Sequence, residues 1–400
     1  MMRACGMFCW KVRSPLSPSS SSRAAPQLFV QALPMAFLHC VVLALLCWCE
    51  PACSTTGEDL DYGGVPLWFN RWLGEPSVLS LQGRVDPAWY RANNPQICPQ
   101  HCDCPIQWPT ALYCDHKALA DVPDGLPCTT QYLFLQGNNI SALTSSALAN
   151  TTGLLWLILD RNQLQNDKLD PTALQNLTQL RYLFANNNRL STVPAGLPAG
   201  LKQLRLAHNH INTIDPDIFN NLHNLTLLLL QGNRLQTLAP RALTDLVSLT
   251  LLDLSGNLFS SVPRNLPPSV EQLYLSNNSL SALDDNSFLG FHGLKFLRLS
   301  RCGLQSPTLH PLVFNVSSLV ELDLSYNKLT VIPPVPTTLQ YLYLEANEIK
   351  EFNTTSFCRE VGPLSYSRMR ILRLDGNKMS RHQLPPDWAF CLRVLHNIYI

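Results

Sequence analysis

The sequence predicts an α/β solenoid. One curved parallel β-sheet forms its concave face, and short turns, 3-10 segments and polyproline segments form the convex face. A disulfide-bonded cap closes each end. Three observations carry this. An eleven-residue phrase, Leu-x-x-Leu-x-Leu-x-x-Asn-x-Leu, recurs eleven times with conservative changes. Successive copies lie only 20 to 30 residues apart, so no unit can bury its own apolar face and the copies must stack. Cysteines gather on both sides of the repeats.

Clear copies run from Leu249 to Phe259, Leu319 to Leu329 and Leu339 to Ile349. The phrase is the leucine-rich-repeat signature. Its first, fourth, sixth and eleventh residues point into the stack as a continuous apolar core. Its ninth residue is Asn138, Asn162, Asn188, Asn209, Asn233, Asn257, Asn278, Asn327, Asn347 or Asn377, with Cys302 in the eighth copy. A side-chain amide both donates and accepts, so this Asn is expected to satisfy backbone groups of its own and the neighbouring turn. Cys302 reads as a structural substitute at this position rather than a reactive thiol.

The intervals between ninth residues are 24, 26, 21, 24, 24, 21, 24, 25, 20 and 30. A short repeat thus follows every two longer ones, and the last interval is stretched. The short repeats carry prolines in their return segments: Pro194 with Pro198, Pro263 with Pro267, and Pro333 with Pro334. Proline fixes φ and lacks an N–H, so these returns are extended, with no helix. Longer repeats, such as the one containing Pro216 to Phe219, have room for a helical turn.

The chain divides into five parts. Residues 1–54 read as a signal peptide with an upstream extension, because Met35 to Trp48 is an apolar run of about 14 residues, too short to span a membrane. Residues 55–97 form an acidic and aromatic tail, 98–130 a Cys-rich cap, 131–349 repeats one to ten, and 350–400 the last repeat and its cap. With no second apolar run of span length, the mature chain is expected to be secreted and unanchored. Without residues 1–54 it holds 25 basic and 27 acidic side chains, a balance that points away from nucleic acid. Cys98, Cys102, Cys104 and Cys114 read as a two-disulfide cap, with a zinc site as the alternative. Cys358 and Cys391 flank the stretched repeat and would close a loop around it. Cys128 and Cys302 lie seven strand spacings apart, on the order of 30 Å, too far to pair. Cys128 is the odd thiol.

The third, fifth and seventh residues of each phrase point out of the sheet. Early copies place Tyr132, Phe134, Trp156, Ile158, Tyr182 and Phe184 there, and Leu227, Leu229 and Leu251 follow. Later copies place Arg298, Glu321, Asp323, Tyr341, Tyr343, Glu345, Arg373 and Asp375, with Arg205 and Asp253 between. The aromatic rows either bind a partner or stiffen the sheet by cross-strand packing. As a binding surface, the aromatic half would hold the Trp-rich tail or a second copy, and the charged half would read a ligand. Seven Asn-x-Ser/Thr triplets begin at Asn139, Asn150, Asn176, Asn224, Asn277, Asn315 and Asn353. Asn139 and Asn277 adjoin a ladder Asn, a position expected to hinder glycosylation.

The Cys98 cluster, the short-long-long rhythm and the Cys-bounded final repeat resemble the small leucine-rich proteoglycans. The nine residues between Cys104 and Cys114 are similar to the fibromodulin, lumican and keratocan subgroup. The stretches Cys98–Pro105, Asn150–Leu157, Leu322–Asn327 and Leu372–Asn377 are most like fibromodulin. The resemblance covers 98–400 and is weaker over 55–97. It implies the pairings Cys98–Cys104, Cys102–Cys114 and Cys358–Cys391, an extracellular-matrix location, binding of fibrillar collagen of types I and II, control of fibril assembly, and keratan-sulfate-type chains on Asn. It also implies tyrosine sulfation, for which Tyr62, beside Glu58, Asp59 and Asp61, is the candidate. Two departures stand out. The tail has only two tyrosines, Tyr62 and Tyr90, with Trp68, Phe69, Trp72 and Trp89 instead, and Lys378 and Ser380 replace the family's acid–base pair.

No paired-carboxylate motif, nucleophile elbow or phosphate loop occurs, and His208-Asn209-His210 is too sparse for a metal site. No enzyme activity, cofactor or metal is expected. The competing function is a soluble recognition protein that sequesters growth factors, such as the transforming-growth-factor-beta class, or microbial ligands.

Overall fold

The computed structural model describes residues 98–105, 108–358, 360 and 365–400. The predicted signal segment and the tail, with Tyr62, lie outside these. The described residues form one parallel sheet of 13 strands in strict sequence order. The strands are β1 (Ala111–Tyr113), β2 (Tyr132–Phe134), β3 (Trp156–Ile158), β4 (Tyr182–Phe184), β5 (Gln203–Arg205), β6 (Leu227–Leu229) and β7 (Leu251–Asp253). They continue through β8 (Gln272–Tyr274), β9 (Phe296–Arg298), β10 (Glu321–Asp323), β11 (Tyr341–Tyr343), β12 (Ile371–Arg373) and β13 (Asn397–Tyr399). Each strand pairs with the next without slippage: Leu133, Leu157 and Leu183 are partners, as are Leu322, Leu342 and Leu372. Eleven strands match the eleven phrases. β1 and β13 are additional rungs at the two ends.

The apolar positions of the phrase form a continuous core, with Leu133, Leu157, Leu204, Leu228, Leu252, Leu273, Leu297, Leu322 and Leu342 all fully buried. The Asn ladder has one recurring bond pattern. Asn162 Nδ2 donates to the carbonyls of Leu135 and Leu159, and its Oδ1 accepts from Ile140 N–H at 3.0 Å. Asn233, Asn257, Asn278 and Asn347 repeat these bonds one rung further along each time. One side chain thus closes its own turn and ties it to the preceding one.

The residue before the ladder position is left-handed in all eleven copies, with φ between 53° and 72°. Only Gly137, Gly232, Gly256 and Gly376 are glycines; the others are Arg161, Asn187, His208, Asn277, Arg301, Tyr326 and Ala346. A left-handed non-glycine residue costs about 1–2 kcal/mol. The Asn bonds and the packed core outweigh this at every turn.

On the convex side the helical pieces are short: α1 (Ser145–Leu148), α2 (Pro171–Gln175) and α3 (Trp388–Cys391), with 3-10 turns at Asn166–Lys168, Ser306–Thr308, Thr354–Ser356 and Arg381–Gln383. Asp170 caps α2 by accepting from Thr172 N–H at 2.9 Å. The proline-bearing returns at 193–198, 262–267 and 332–336 contain no helix. The segment Pro216–Phe219 is a turn and not a regular helix. Phe219 turns inward there and is buried in the core.

Disulfides Cys98–Cys104 and Cys102–Cys114 close the first end, and Cys358–Cys391 closes the last. Asp103 pairs antiparallel with Tyr113, with reciprocal N–H to carbonyl bonds of 2.7 and 3.0 Å. This covers the otherwise open edge of β1. Cys114 is fully buried at the register of Leu135, so a disulfide sulfur takes the place of a core leucine. No helix of the described residues is long and apolar enough to cross a membrane.

Candidate ligand-binding face

The register aligns the outward residues into two long columns. One runs Ala111, Tyr132, Trp156, Tyr182, Gln203, Leu227, Leu251, Gln272, Phe296, Glu321, Tyr341, Ile371, Asn397. The other runs Tyr113, Phe134, Ile158, Phe184, Arg205, Leu229, Asp253, Tyr274, Arg298, Asp323, Tyr343, Arg373, Tyr399. Sequence alone places the residues on this face. The columns decide which of them meet.

The aromatic end is packed against itself. Tyr113 stacks on Phe134 at 4.6 Å with planes 4° apart, and Trp156 lies 4.2 Å from Tyr182 and 5.8 Å from Phe184. Trp108, from the cap, extends the row 4.7 Å from Tyr132. Phe134, Ile158 and Phe184 are buried, whereas Tyr132, Trp156 and Tyr182 are half-buried. The inner column therefore stiffens the sheet, and the outer column, packed ring on ring, stays half-buried. Arg205 lies over Phe184, its guanidinium carbon 4.4 Å from the ring centre, and is itself buried.

A second apolar cluster follows. Leu227, Leu229, Leu251 and Tyr274 are buried together, with Phe296 packed on them. Asp253 is buried within the same stretch and accepts from Ser255 N–H at 2.9 Å. The face is thus not an aromatic half followed by a charged half. It has an aromatic cluster on β1–β4, a polar rung on β5, an aliphatic cluster on β6–β9, and a charged end on β9–β13. Tyr274 and Phe296 occupy the fifth and third positions of their phrases, so the repeat rule reaches them. Trp108 lies outside any phrase, and nothing in the sequence marks it.

At the charged end Arg298 makes a two-pronged ion pair to Glu321, with Nε and Nη2 both donating to Oε1 at 3.1 and 3.0 Å. It also lies over Tyr274, 4.8 Å from the ring centre. The neighbouring carboxylates raise its pKa against the opposing effect of burial. Arg298 and Glu321 keep only about 15 % and 14 % of their side-chain surface, so this pair is part of the scaffold. Arg373 is more open. It donates to both Asp375 carboxylate oxygens at 3.2 and 3.1 Å and lies 3.6 Å from Glu345. Burial pushes the Glu345 carboxyl above its ordinary range, offset in part by Arg373. Burial likewise pushes the Tyr343 phenol up to about 12, helped by Glu321. Asp323 sits between these groups and accepts from Ser325 N–H at 2.9 Å. Lys378, on the rim, pairs with Glu348 at 2.7 Å.

The seven triplet asparagines are all exposed. Asn150, Asn176 and Asn315 each lie four residues before the first leucine of a phrase, the same height on three different rungs. Asn277 is one of the left-handed turn residues. Among the described residues Cys128 is exposed and has no disulfide partner, and Cys302 is buried. Burial pushes the Cys302 thiol up to about 12, which removes it from thiolate chemistry at neutral pH. Among the described residues no group of three His, Cys, Asp or Glu could hold a metal ion.

Comparison with known proteins agrees with the architecture. The family model described as leucine rich repeat matches residues 129–190 and 199–259, and a second leucine-rich-repeat model matches 318–337. Lumican of Rattus norvegicus is 42% identical over 332 residues, covering 81% of this chain and 97% of that protein. Lumican of Homo sapiens is 44% identical, covering 77% and 90%. Fibromodulin of Bos taurus is 41% identical over 80% of this chain and 85% of its own length. Identity does not separate the two relatives. Among solved structures, a chain of the octameric complex of Latrophilin 3, Unc5D and FLRT2 (LRR) superposes with a TM-score of 0.61 at 26% identity, covering 75% of this chain and 83% of that one.

Proposed function

The chain belongs to the small leucine-rich proteoglycan family, in the group of lumican and fibromodulin, and from that premise we propose that it is a secreted extracellular-matrix protein core that binds fibrillar collagen and regulates fibril assembly. The observation that carries this is the charged end of the concave face. Glu321, Asp323, Tyr343, Glu345, Arg373 and Asp375 are half-buried on three successive rungs, about 4.8 Å apart. A collagen triple helix is a straight rod whose X and Y side chains all face outward. It offers no knob for a pocket, so its partner must be a broad, ordered surface of alternating charge. Residues already held by ion pairs lose little freedom on binding.

Asn150, Asn176, Asn224, Asn315 and Asn353 are proposed as glycan carriers, with keratan-sulfate-type chains on some of them. Asn139 and Asn277 are the less accommodating positions. Tyr62 is proposed as a sulfation site.

The test is a solid-phase titration of secreted protein on fibrillar collagen. Arg373→Glu should weaken binding about tenfold or more, and the remaining affinity should fall as salt rises. Arg298 is unsuitable for this test, because a reversal there would place three carboxylates together inside the scaffold. Collagen binding left intact by Arg373→Glu overturns the reading. If the wild-type chain captures a growth factor of the transforming-growth-factor-beta class and not fibrillar collagen, the sequestering function replaces it.

A further inference from the structure

Basic side chains are spread unevenly along the chain. Residues 365–400 hold six arginines and lysines against two carboxylates, whereas residues 55–364 hold 19 against 25. Three of the six, Arg368, Arg370 and Arg393, stand together at the margin of the last two rungs, and all three are exposed. Before β12 burial alternates: Ser367 and Met369 are buried, and Arg368 and Arg370 face out. Tyr366 continues that outward side, and the Arg393 guanidinium lies over its ring, 3.7 Å from the centre. The two strand-side arginines are spaced by roughly 7 Å. Their backbone is fixed, because Arg368 N–H donates to Thr337 O and Arg370 N–H to Gln340 O, both at 2.7 Å. Arg370 O in turn accepts from His396 N–H at 2.8 Å, which sets an exposed imidazole one rung further on. Arg298, Arg373, Lys295 and Lys378 all have carboxylate partners. Among the described residues Arg368, Arg370 and Arg393 have none. On the two preceding rungs the position of Arg370 is held by Gln340 and Val320, so no acid neutralises the strip from that side.

We propose that this strip binds a sulfated glycosaminoglycan chain. Its guanidiniums are exposed, held on a fixed backbone and not consumed by ion pairs within the described residues. A guanidinium fork matches the oxygens of a sulfate group and stays charged at every physiological pH. Stacking on Tyr366 uses the face of the Arg393 guanidinium and leaves its N–H donors for an anion. The strip is an open margin without walls. A single small anion would find no enclosure there, whereas a polymer that presents one sulfate after another meets several cations at once. The choice of a glycosaminoglycan over other polyanions rests on the extracellular-matrix reading. The anion site itself does not. Arg368 and Arg370 precede β12, so they flank the concave columns that carry Arg373. One chain is therefore free to hold a fibril on its face and a glycosaminoglycan at its margin.

Titration of the full secreted chain on immobilised heparin tests this. The wild type should bind at physiological salt, with an affinity that falls steeply as salt rises. Arg368→Ser with Arg370→Ser should weaken binding about tenfold or more and flatten the salt dependence. Arg393→Ser, made separately, should weaken it about threefold. Arg234→Ser with Arg241→Ser removes the same charge from exposed positions on other rungs and should change the affinity less than about twofold. All these side chains are exposed, so every variant should keep its unfolding midpoint within a few degrees. No binding of heparin by the wild type, equal losses in the two double variants, or undiminished binding to desulfated heparin would overturn the proposal. Tighter binding to phosphatidylserine vesicles than to heparin would assign the strip to a membrane surface and overturn it as well. Collagen is absent from this titration and is read separately through Arg373→Glu, so failure of either reading shows without the other.

Discussion

Cys302 is the weak rung of the ladder, and replacing it by asparagine should make the protein more stable. Its thiol points to Leu275 O at 3.2 Å and Ser300 O at 3.5 Å, copying in weaker form what Asn Nδ2 donates elsewhere. In place of the amide oxygen the thiol offers only sulfur, a weak acceptor. In the preceding rung, Phe259 N–H donates to Asn278 Oδ1 at 3.0 Å. The equivalent donor facing Cys302 is Leu280 N–H, and among the described residues no acceptor meets it. Leu280 is 1% exposed, so water does not substitute. A buried donor without a partner costs about 1–3 kcal/mol, and a restored hydrogen bond contributes about 1 kcal/mol net. Cys302→Asn should therefore gain about 1–2 kcal/mol.

For a domain of this size that is a rise of about 2–6 °C in the unfolding midpoint. The assay is thermal unfolding by circular dichroism with the three disulfides intact, together with amide exchange at Leu280. The reverse substitution, Asn278→Cys, should lower the midpoint by a similar amount, because it strips Phe259 N–H of its acceptor. An unchanged or lowered midpoint for Cys302→Asn, with Leu280 exchanging as before, would refute the reasoning. It would mean that the ladder is held by its donors alone.

Two further outcomes are expected. Gly196 has φ of +74°, and a Cβ there would run into the Pro171 carbonyl oxygen at the start of α2; Gly196→Ala should cost about 2–4 kcal/mol. Gly303 has the same φ with open space around it, so Gly303→Ala should cost only about 1–2 kcal/mol, and equal losses at both sites would sink the steric argument. Glu345 has a raised folded-state pKa because burial disfavours its charge. Its contribution is thus most favourable below the unfolded value and is lost as pH rises through the folded one. Glu345→Gln should match the wild type near pH 4 and gain on it as pH rises toward neutrality. A stability difference that stays constant across that range would show that Arg373 fully compensates the carboxylate.

Most of the solenoid was legible because one physical requirement recurs at fixed spacing. Leucines at four positions and an amide at the ninth leave few alternatives, and the prolines exclude helix from the short returns. The end rungs were not legible. β1 is followed by Cys114 where the phrase has its second core leucine after the strand begins, and β13 carries Ile398 where the other strands carry leucine, so both depart from the phrase that marks the other strands. The left-handed residue before each ladder position was hidden for a different reason. Seven of the eleven are not glycine, because the bonds on either side enforce the conformation without help from residue type. Arg298 reads in sequence as an exposed contact, and the structure makes it part of the scaffold. Its role depends on Glu321 and Tyr274, which lie 23 residues ahead and 24 behind in the chain.

The same reasoning explains why the concave face can change chemistry along its length while the backbone does not. The inward leucines and the ladder fix every rung before any outward residue is chosen. A column can then run from Tyr113 through Arg205 and Asp253 to Arg373 without altering the register. Function is consequently a property of neighbouring rungs rather than of single residues. Arg373 is held in place by Glu345 and Asp375 beside it, and the apolar cluster exists because Leu229 is followed by Leu251 and Tyr274. A substitution on this face should therefore act on its own rung and the two next to it. Arg373→Glu should leave the β6–β8 cluster unchanged, and disruption of the cluster should leave the Arg373–Asp375 pair in place.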